Sequence, residues 1–203
     1  MQITVISPEG RDPREVAAMD GLFSEGLARY HVRKPQWGDG ELEAFLLSLP
    51  GDWRPRLVLH GNPGLAEKLA LGGSHDRDEG GISPERGFSR ACHDLSSLWQ
   101  HLPVYEQILF GPVFPSLTKE GYGPDAEFPW GELQAILSRG RKEGDARVLA
   151  IGGITAAGLP RCAELGFDGA VVLGAVWNHP EPVRAYAAIR DAAANLEAAG
   201  RAL

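Results

Sequence analysis

RVLAIGGITAAGLPRCAELGFDGAVVLGAV, residues 147–176, is the stretch on which the fold turns. An apolar run from Arg147 to Ile151 leads into a helical segment from Ala156 to Leu165. A second apolar run, Gly169 to Leu173, follows. Runs such as VLAI and AVVL lack polar alternation, which predicts parallel strands covered on both faces. Strand, helix and strand in that order define a β-α-β unit and so a parallel sheet.

The same rhythm extends outward from this unit. Upstream lie a strand at Glu106 to Phe110 and a helix at Trp130 to Arg141. At the start, Gln2 to Ile6 reads as a strand and Pro13 to Leu27 as a helix. Val16, Met19, Leu22, Phe23 and Leu27 recur there at helical spacing, and Pro13 suits a first turn. Arg29 to Arg33 and Arg56 to His60 are further strands, with helices at Gly40 to Leu49 and Pro63 to Leu71. The middle is weaker. Gly72 to Asp76 is a short strand, no convincing helix is visible in RDEGGISPER, and Gly87 to Ala91 is a fifth strand before a helix from Asp94 to about Leu102. A closing helix runs from Glu181 to Ala198. Eight strands with seven or eight helices predict a single (β/α)8 TIM barrel over residues 1–203. The alternative is an open doubly wound sheet, which is less favoured because no G-x-G-x-x-G follows the first strand.

Composition narrows the partners. The chain has 203 residues, 43% of them hydrophobic, which is enough to bury a core. Its formal net charge is −7, which argues against nucleic acid as a partner but not against a small anion held by a few local donors. The two cysteines, Cys92 and Cys162, have no metal-like spacing and imply no disulfide framework. Neither a signal peptide nor a membrane-length apolar run is visible, so a soluble, cytoplasmic protein without membrane partners is expected. Compact barrels often pair, which makes a homodimer the assembly to look for.

In a barrel, chemistry sits at the C-terminal ends of the strands. Two glycine turns fall there, IGGIT (Ile151 to Thr155) and VLGAV (Val172 to Val176). The backbone of Gly152, Gly153, Leu173 and Gly174 can approach a ligand closely and aim N–H groups at a phosphate. Read without that ligand, the same glycines are tight turns. GPVFPSLTKEGYG (Gly111 to Gly123) supplies Ser116, Thr118 and Lys119 on a loop long enough to form a lid. In YHVRKPQW (Tyr30 to Trp37), alternation puts His31 and Arg33 on one face, and Lys34 follows. Arg33 suits a phosphate or carboxylate, or else an internal structural carboxylate. His93, in ACHDL, stands at a strand end before a helix, where imidazole can take and return a proton near neutral pH. His60 and His75 are weaker candidates of the same kind.

Together these segments resemble the thiamine phosphate synthase/TenI family, in its order along most of the chain: HVRK (His31 to Lys34), LVLHG (Leu57 to Gly61), ACH (Ala91 to His93), LFGPVFPSLTKEGYG (Leu109 to Gly123), AIGGIT (Ala150 to Thr155) and GFDGAVVLGAV (Gly166 to Val176). The specific segments are FGPVF…TK and AIGGI. The resemblance implies a (β/α)8 barrel and a thiazole phosphate ligand. It also implies one of two activities. A synthase joins a pyrimidine pyrophosphate to thiazole phosphate with magnesium. A TenI-type tautomerase shifts a proton on a carboxylated thiazole phosphate without a metal.

Departures from the family pattern separate these. Where synthases carry Asn-Asp, this chain has His60-Gly61. Where they carry a second magnesium-linked Asp, Gly80 stands, with Asp76, Asp78 and Glu79 out of register. Ala91 replaces a pyrophosphate-binding Ser, and Arg33-Lys34-Pro35 displaces the lysine of an R-x-K. The thiazole phosphate half is retained and the magnesium pyrophosphate half departs. The expectation is therefore a tautomerase-type enzyme with no favoured cofactor and no metal ligands. It has His93, Arg33 and Lys119 as the catalytic set, and His31, Lys34, His60, Ser116, Thr118, Gly152, Gly153, Leu173 and Gly174 as the binding set. The alternatives are a synthase that uses magnesium, and a non-catalytic binder or regulator.

Overall fold

A computed structural model describes residues 1–77, 87–138, 142 and 144–200. Eight strands are hydrogen-bonded in chain order, and β8 (Gly169–Val172) pairs back onto β1 (Gln2–Ile6), closing a barrel. Between them stand β2 (Tyr30–Val32), β3 (Leu57–His60), β4 (Gly73–Asp76), β5 (Gly87–Cys92), β6 (Tyr105–Phe110) and β7 (Arg147–Ile151). Every pairing is parallel, as the continuous apolar runs require. The open-sheet alternative is thereby excluded: β1 is bonded on both edges.

The helical layer is α1 (Glu15–Ser24), α2 (Asp39–Ser48), α3 (Pro63–Lys68), α4 (Leu95–His101), α5 (Trp130–Ser138), α6 (Leu159–Leu165), α7 (Gly174–Trp177) and α8 (Pro182–Gly200). Helix α1 is shorter than the apolar spacing suggests, because Gly26 (φ 87°) turns the chain after it. Helix α6 is entered through a 3-10 turn at Ala156–Gly158, so the helical stretch expected from Ala156 is split. Two elements carry no clear sequence signal: the 3-10 turn Gly51–Arg56, which contains Pro55, and the four-residue α7. Of RDEGGISPER, residues 78–86 lie outside the described residues, as do residues 139–141 of the helix expected to Arg141.

The core has two compartments. The larger lies between strands and helices, where Leu22, Leu46, Leu57, Leu59 and Leu98 are fully buried. Burying each such side chain stabilises the fold by about 1.5–3 kcal/mol. The smaller lies inside the barrel and consists of Ile6, Leu109, Leu149 and Val171. That apolar cluster fills only the β6-β7-β8-β1 side. The β2-to-β5 side of the interior carries His31, His60, His75 and Ser89, aligned by the register Ile6↔His31, His60↔His75 and His75↔Ser89. The barrel is therefore apolar on one flank and imidazole-rich on the other, and this asymmetry shapes the floor of its mouth. No described helix is long and apolar enough to cross a membrane.

Candidate functional site

A cavity of about 920 Å³ opens at the C-terminal ends of the strands. Eleven of the twelve residues expected to form the site border it: Arg33, Lys34, His60, His93, Ser116, Thr118, Lys119, Gly152, Gly153, Leu173 and Gly174. His31 does not. It is fully buried beneath the cavity, because β2 places its side chain inside the barrel.

The glycine end is built by three segments packed on one another. Gly152 and Gly153 have φ of 95° and 63°, the left-handed region that side chains with a Cβ rarely adopt. A Cβ on Gly153 would also stand 2.1 Å from the Pro115 carbonyl oxygen. The loop after β6 is bonded onto this turn: Val113 N–H donates to the Ile151 carbonyl (2.9 Å) and Phe114 N–H to that of Gly152 (3.1 Å). Gly174 opens α7, and a Cβ there would lie 3.0 Å from Thr118 and 3.1 Å from Leu117. Residues 115–118 thus lie against both glycine turns. In α7 the N–H groups of Val176 (3.0 Å) and Trp177 (2.9 Å) donate to the Leu173 carbonyl, so the donors suited to an anion are those of Gly174 and Ala175 at its start. The Ser116 hydroxyl accepts from Thr118 N–H (3.2 Å) and Lys119 N–H (3.0 Å), so it holds the lid turn in shape. Lys119 remains exposed, its ammonium 5.9 Å from the Tyr122 ring centre.

His93 stands on the other wall, just past β5. Its Nδ1 is 2.5 Å from the Gly111 carbonyl oxygen. A carbonyl only accepts, so Nδ1 carries a proton, and in the neutral ring the lone pair is on Nε2. Asp94 caps α4 by accepting from Ser97 N–H (2.8 Å), which fixes the backbone that carries His93. The result is an imidazole anchored through Nδ1, with Nε2 left for a ligand at a cavity wall.

The two basic residues after β2 behave differently. Arg33 pairs with Glu9, and its backbone N–H donates to the buried Ser7 hydroxyl (2.8 Å). That pair is part-exposed at the mouth, so a ligand carboxylate can compete with Glu9 for the guanidinium. Lys34 borders the cavity, but its ammonium turns into the protein. It donates to the Pro8 carbonyl (2.7 Å), the Gly10 carbonyl (3.0 Å) and Glu15 Oε2 (2.6 Å). Three donors meet three acceptors, which leaves Lys34 none for a ligand. Glu15 also accepts from Tyr30 (3.0 Å). Burial raises the Glu15 carboxyl pKa, and the bonds from Lys34 and Tyr30 work against that rise.

Sequence reasoning did not single out Arg77, Glu9, Asn62 or Tyr122, which also border the cavity. It rated His75 and His60 as weak and did not see that they meet His31. His31 Nδ1 is 3.0 Å from His60 Nε2, and His75 Nδ1 is 2.8 Å from the Ser89 hydroxyl. Burial depresses His31 to about 3, and burial followed by neighbouring charge lowers His60 and His75 well below the usual histidine range. All three rings are neutral at pH 7.

A magnesium site of the synthase kind needs clustered oxygen ligands. Among the described residues, the carboxylates that border the cavity are Glu9, engaged by Arg33, and Asp39, which accepts from Asn62 (3.0 Å). Asp76 does not border it and instead accepts from Tyr105 (2.8 Å). Asp78 and Glu79 lie outside the described residues. The described acids do not fit such a site.

No protein-family model matches the chain. A thiamine-phosphate synthase of Geobacillus kaustophilus is 37% identical over 87 residues, which are 40% of this chain and 35% of that protein. A thiamine-phosphate synthase of Rhodospirillum centenum is 29% identical over 142 residues, 61% of each chain. The matches thus span 35% and 61% of these curated relatives' lengths. A solved thiamine phosphate pyrophosphorylase from Bacteroides thetaiotaomicron superposes with a TM-score of 0.77 at 24% identity, covering 95% of this chain and 98% of that one. Another, from Pyrococcus furiosus, gives 0.76 at 18%, with 96% of both chains covered. At these identities the solved structures speak for the fold.

Proposed function

We infer that this chain, a member of a thiamine phosphate synthase/TenI-like family, is a thiamin-biosynthesis enzyme that binds a thiazole phosphate and moves a proton on it. The observation that carries this reading is the anchored His93, whose Nδ1 is held by the Gly111 carbonyl and whose Nε2 is left for a ligand at the cavity that the glycine turns also border. The phosphate sits against the backbone of Gly152, Gly153, Leu173 and Gly174, with Thr118 and Lys119 adding a hydroxyl and a positive charge from the lid. Arg33 exchanges Glu9 for the substrate carboxylate. His93 Nε2 then takes a proton from the thiazole ring skeleton and returns it to a neighbouring position, leaving the aromatic tautomer. Proton and charge balance, and no co-reactant is needed.

The test is turnover of the carboxylated thiazole phosphate, followed by NMR, before and after EDTA treatment. The rate should survive EDTA and fall by about 10²–10⁴ in His93→Ala, the usual worth of a general acid–base group. Full activity in that variant would overturn the reading.

A second reading is favoured by the relatives' own names: a synthase that couples a pyrimidine pyrophosphate to thiazole phosphate. It requires product formation that depends on magnesium, with ligands other than the acids described above. Absence of product across a magnesium titration rules it out.

A further inference from the structure

We propose that the imidazoles of His31, His60 and His75 form a site for one divalent transition-metal ion, on the floor of the cavity at adjoining strands β2, β3 and β4. One ring nitrogen from each residue lies within 4.8 Å of the others. Three nitrogens at about 2.0–2.1 Å from a tetrahedral zinc stand about 3.3 Å apart. His31 and His60 already present nitrogens 3.0 Å apart. Closing the set around an ion moves the His75 nitrogen inward by at most about 1.5 Å.

The surroundings fit a metal better than they fit a packed core. His60 and His75 rings stack at 4.0 Å, and His31 meets each edge-on at 5.2 and 5.7 Å. The Ser89 hydroxyl holds His75 Nδ1 and so leaves Nε2 as the ligand atom. A fixed partner of this sort orients metal-bound histidines.

The chemistry of the donors selects the ion. Imidazole suits zinc, cobalt, nickel or copper, whereas magnesium prefers oxygen. This is therefore a different site from the magnesium carboxylates implied by the synthase pattern. His60 and His75 border the cavity and His31 lies below it, so a fourth coordination position opens toward the cavity. That is the arrangement of a metal with room for water or a ligand oxygen. The inference does not rest on the thiazole reading. Proton transfer by His93 can fail while the metal still binds, and the converse holds as well.

Cobalt(II) is the direct probe. Full-length protein, freed of metal by chelation and dialysis, is titrated with Co²⁺ alone and followed by visible absorption and calorimetry. One equivalent should bind, with the d–d bands of a four- or five-coordinate nitrogen-ligated ion. His60→Asn, at a half-buried position, should weaken binding roughly 100-fold or more, and Ser89→Ala by about 10–100-fold. His179→Asn, at a half-buried position outside the cavity lining, should bind as the parent does. Circular dichroism checks that each variant is folded. No uptake of Co²⁺ by the parent would overturn the proposal. So would affinity unchanged in folded His60→Asn, or displacement of Co²⁺ by a modest excess of Mg²⁺.

Discussion

Single positions carry most of the candidate chemistry, and each draws its character from one neighbour. His93 offers Nε2 to the cavity because the Gly111 carbonyl holds its other nitrogen. Arg33 is available at the mouth because Glu9 meets it there and not inside the barrel. Strand-end position and residue type were enough to single out both from sequence. Their partners were not legible, since Glu9 and Gly111 lie 24 and 18 residues away. Cys162 shows the opposite behaviour. Burial pushes its thiol up to about 12, so almost no thiolate forms at pH 8. In native protein at pH 8, alkylation of Cys162 by iodoacetamide should run about a thousandfold slower than in urea, as read from peptide mass spectrometry. Equal rates would show that the site opens readily.

Elements decide where these side chains end up. Strand β2 is only three residues long, so the chain leaves the barrel wall at Arg33 and turns Lys34 back toward the loop after β1. The ammonium then meets Glu15 at the start of α1, with side-chain exposures of 0% and 4%. Removing one member of a buried pair strands the other charge and costs about 3–5 kcal/mol. Lys34→Met should therefore lower unfolding stability by that amount in urea titration, while Lys34→Met/Glu15→Gln should recover part of the loss. A change below 1 kcal/mol in the single variant would place the pair in solvent. The same geometry explains why Lys34, expected to bind ligand, has no donor left for one. Across the mouth, Gly152 and Gly153 form a tight turn that is legible from sequence because it is local: positive φ is a property of two consecutive residues. Helix α7 escaped notice for the converse reason, since four residues leave no period to read.

At the scale of the molecule, closure of β8 onto β1 brings the two glycine turns, the lid loop and His93 around one mouth. Occupancy of that mouth should stabilise the whole barrel by mass action. Thiazole phosphate at 100 times its Kd should add about 2.7 kcal/mol. For a chain of this size that corresponds to a rise in Tm of roughly 5–10 °C by scanning calorimetry. No shift at millimolar ligand would count against the phosphate cup. The alternation of apolar runs and helices, the eight-strand count and the glycine turns could all be read along the chain, because each is set by residues within one or two turns of one another. The meeting of His31, His60 and His75, the burial of Lys34 and the split of the interior into apolar and imidazole flanks could not. They depend on inter-strand register, which pairs His60 with His75 and His75 with Ser89 across whole β-α units. Only the closed barrel sets that register, because sequence spacing between strands is absorbed by loops and helices whose lengths leave the pairing free.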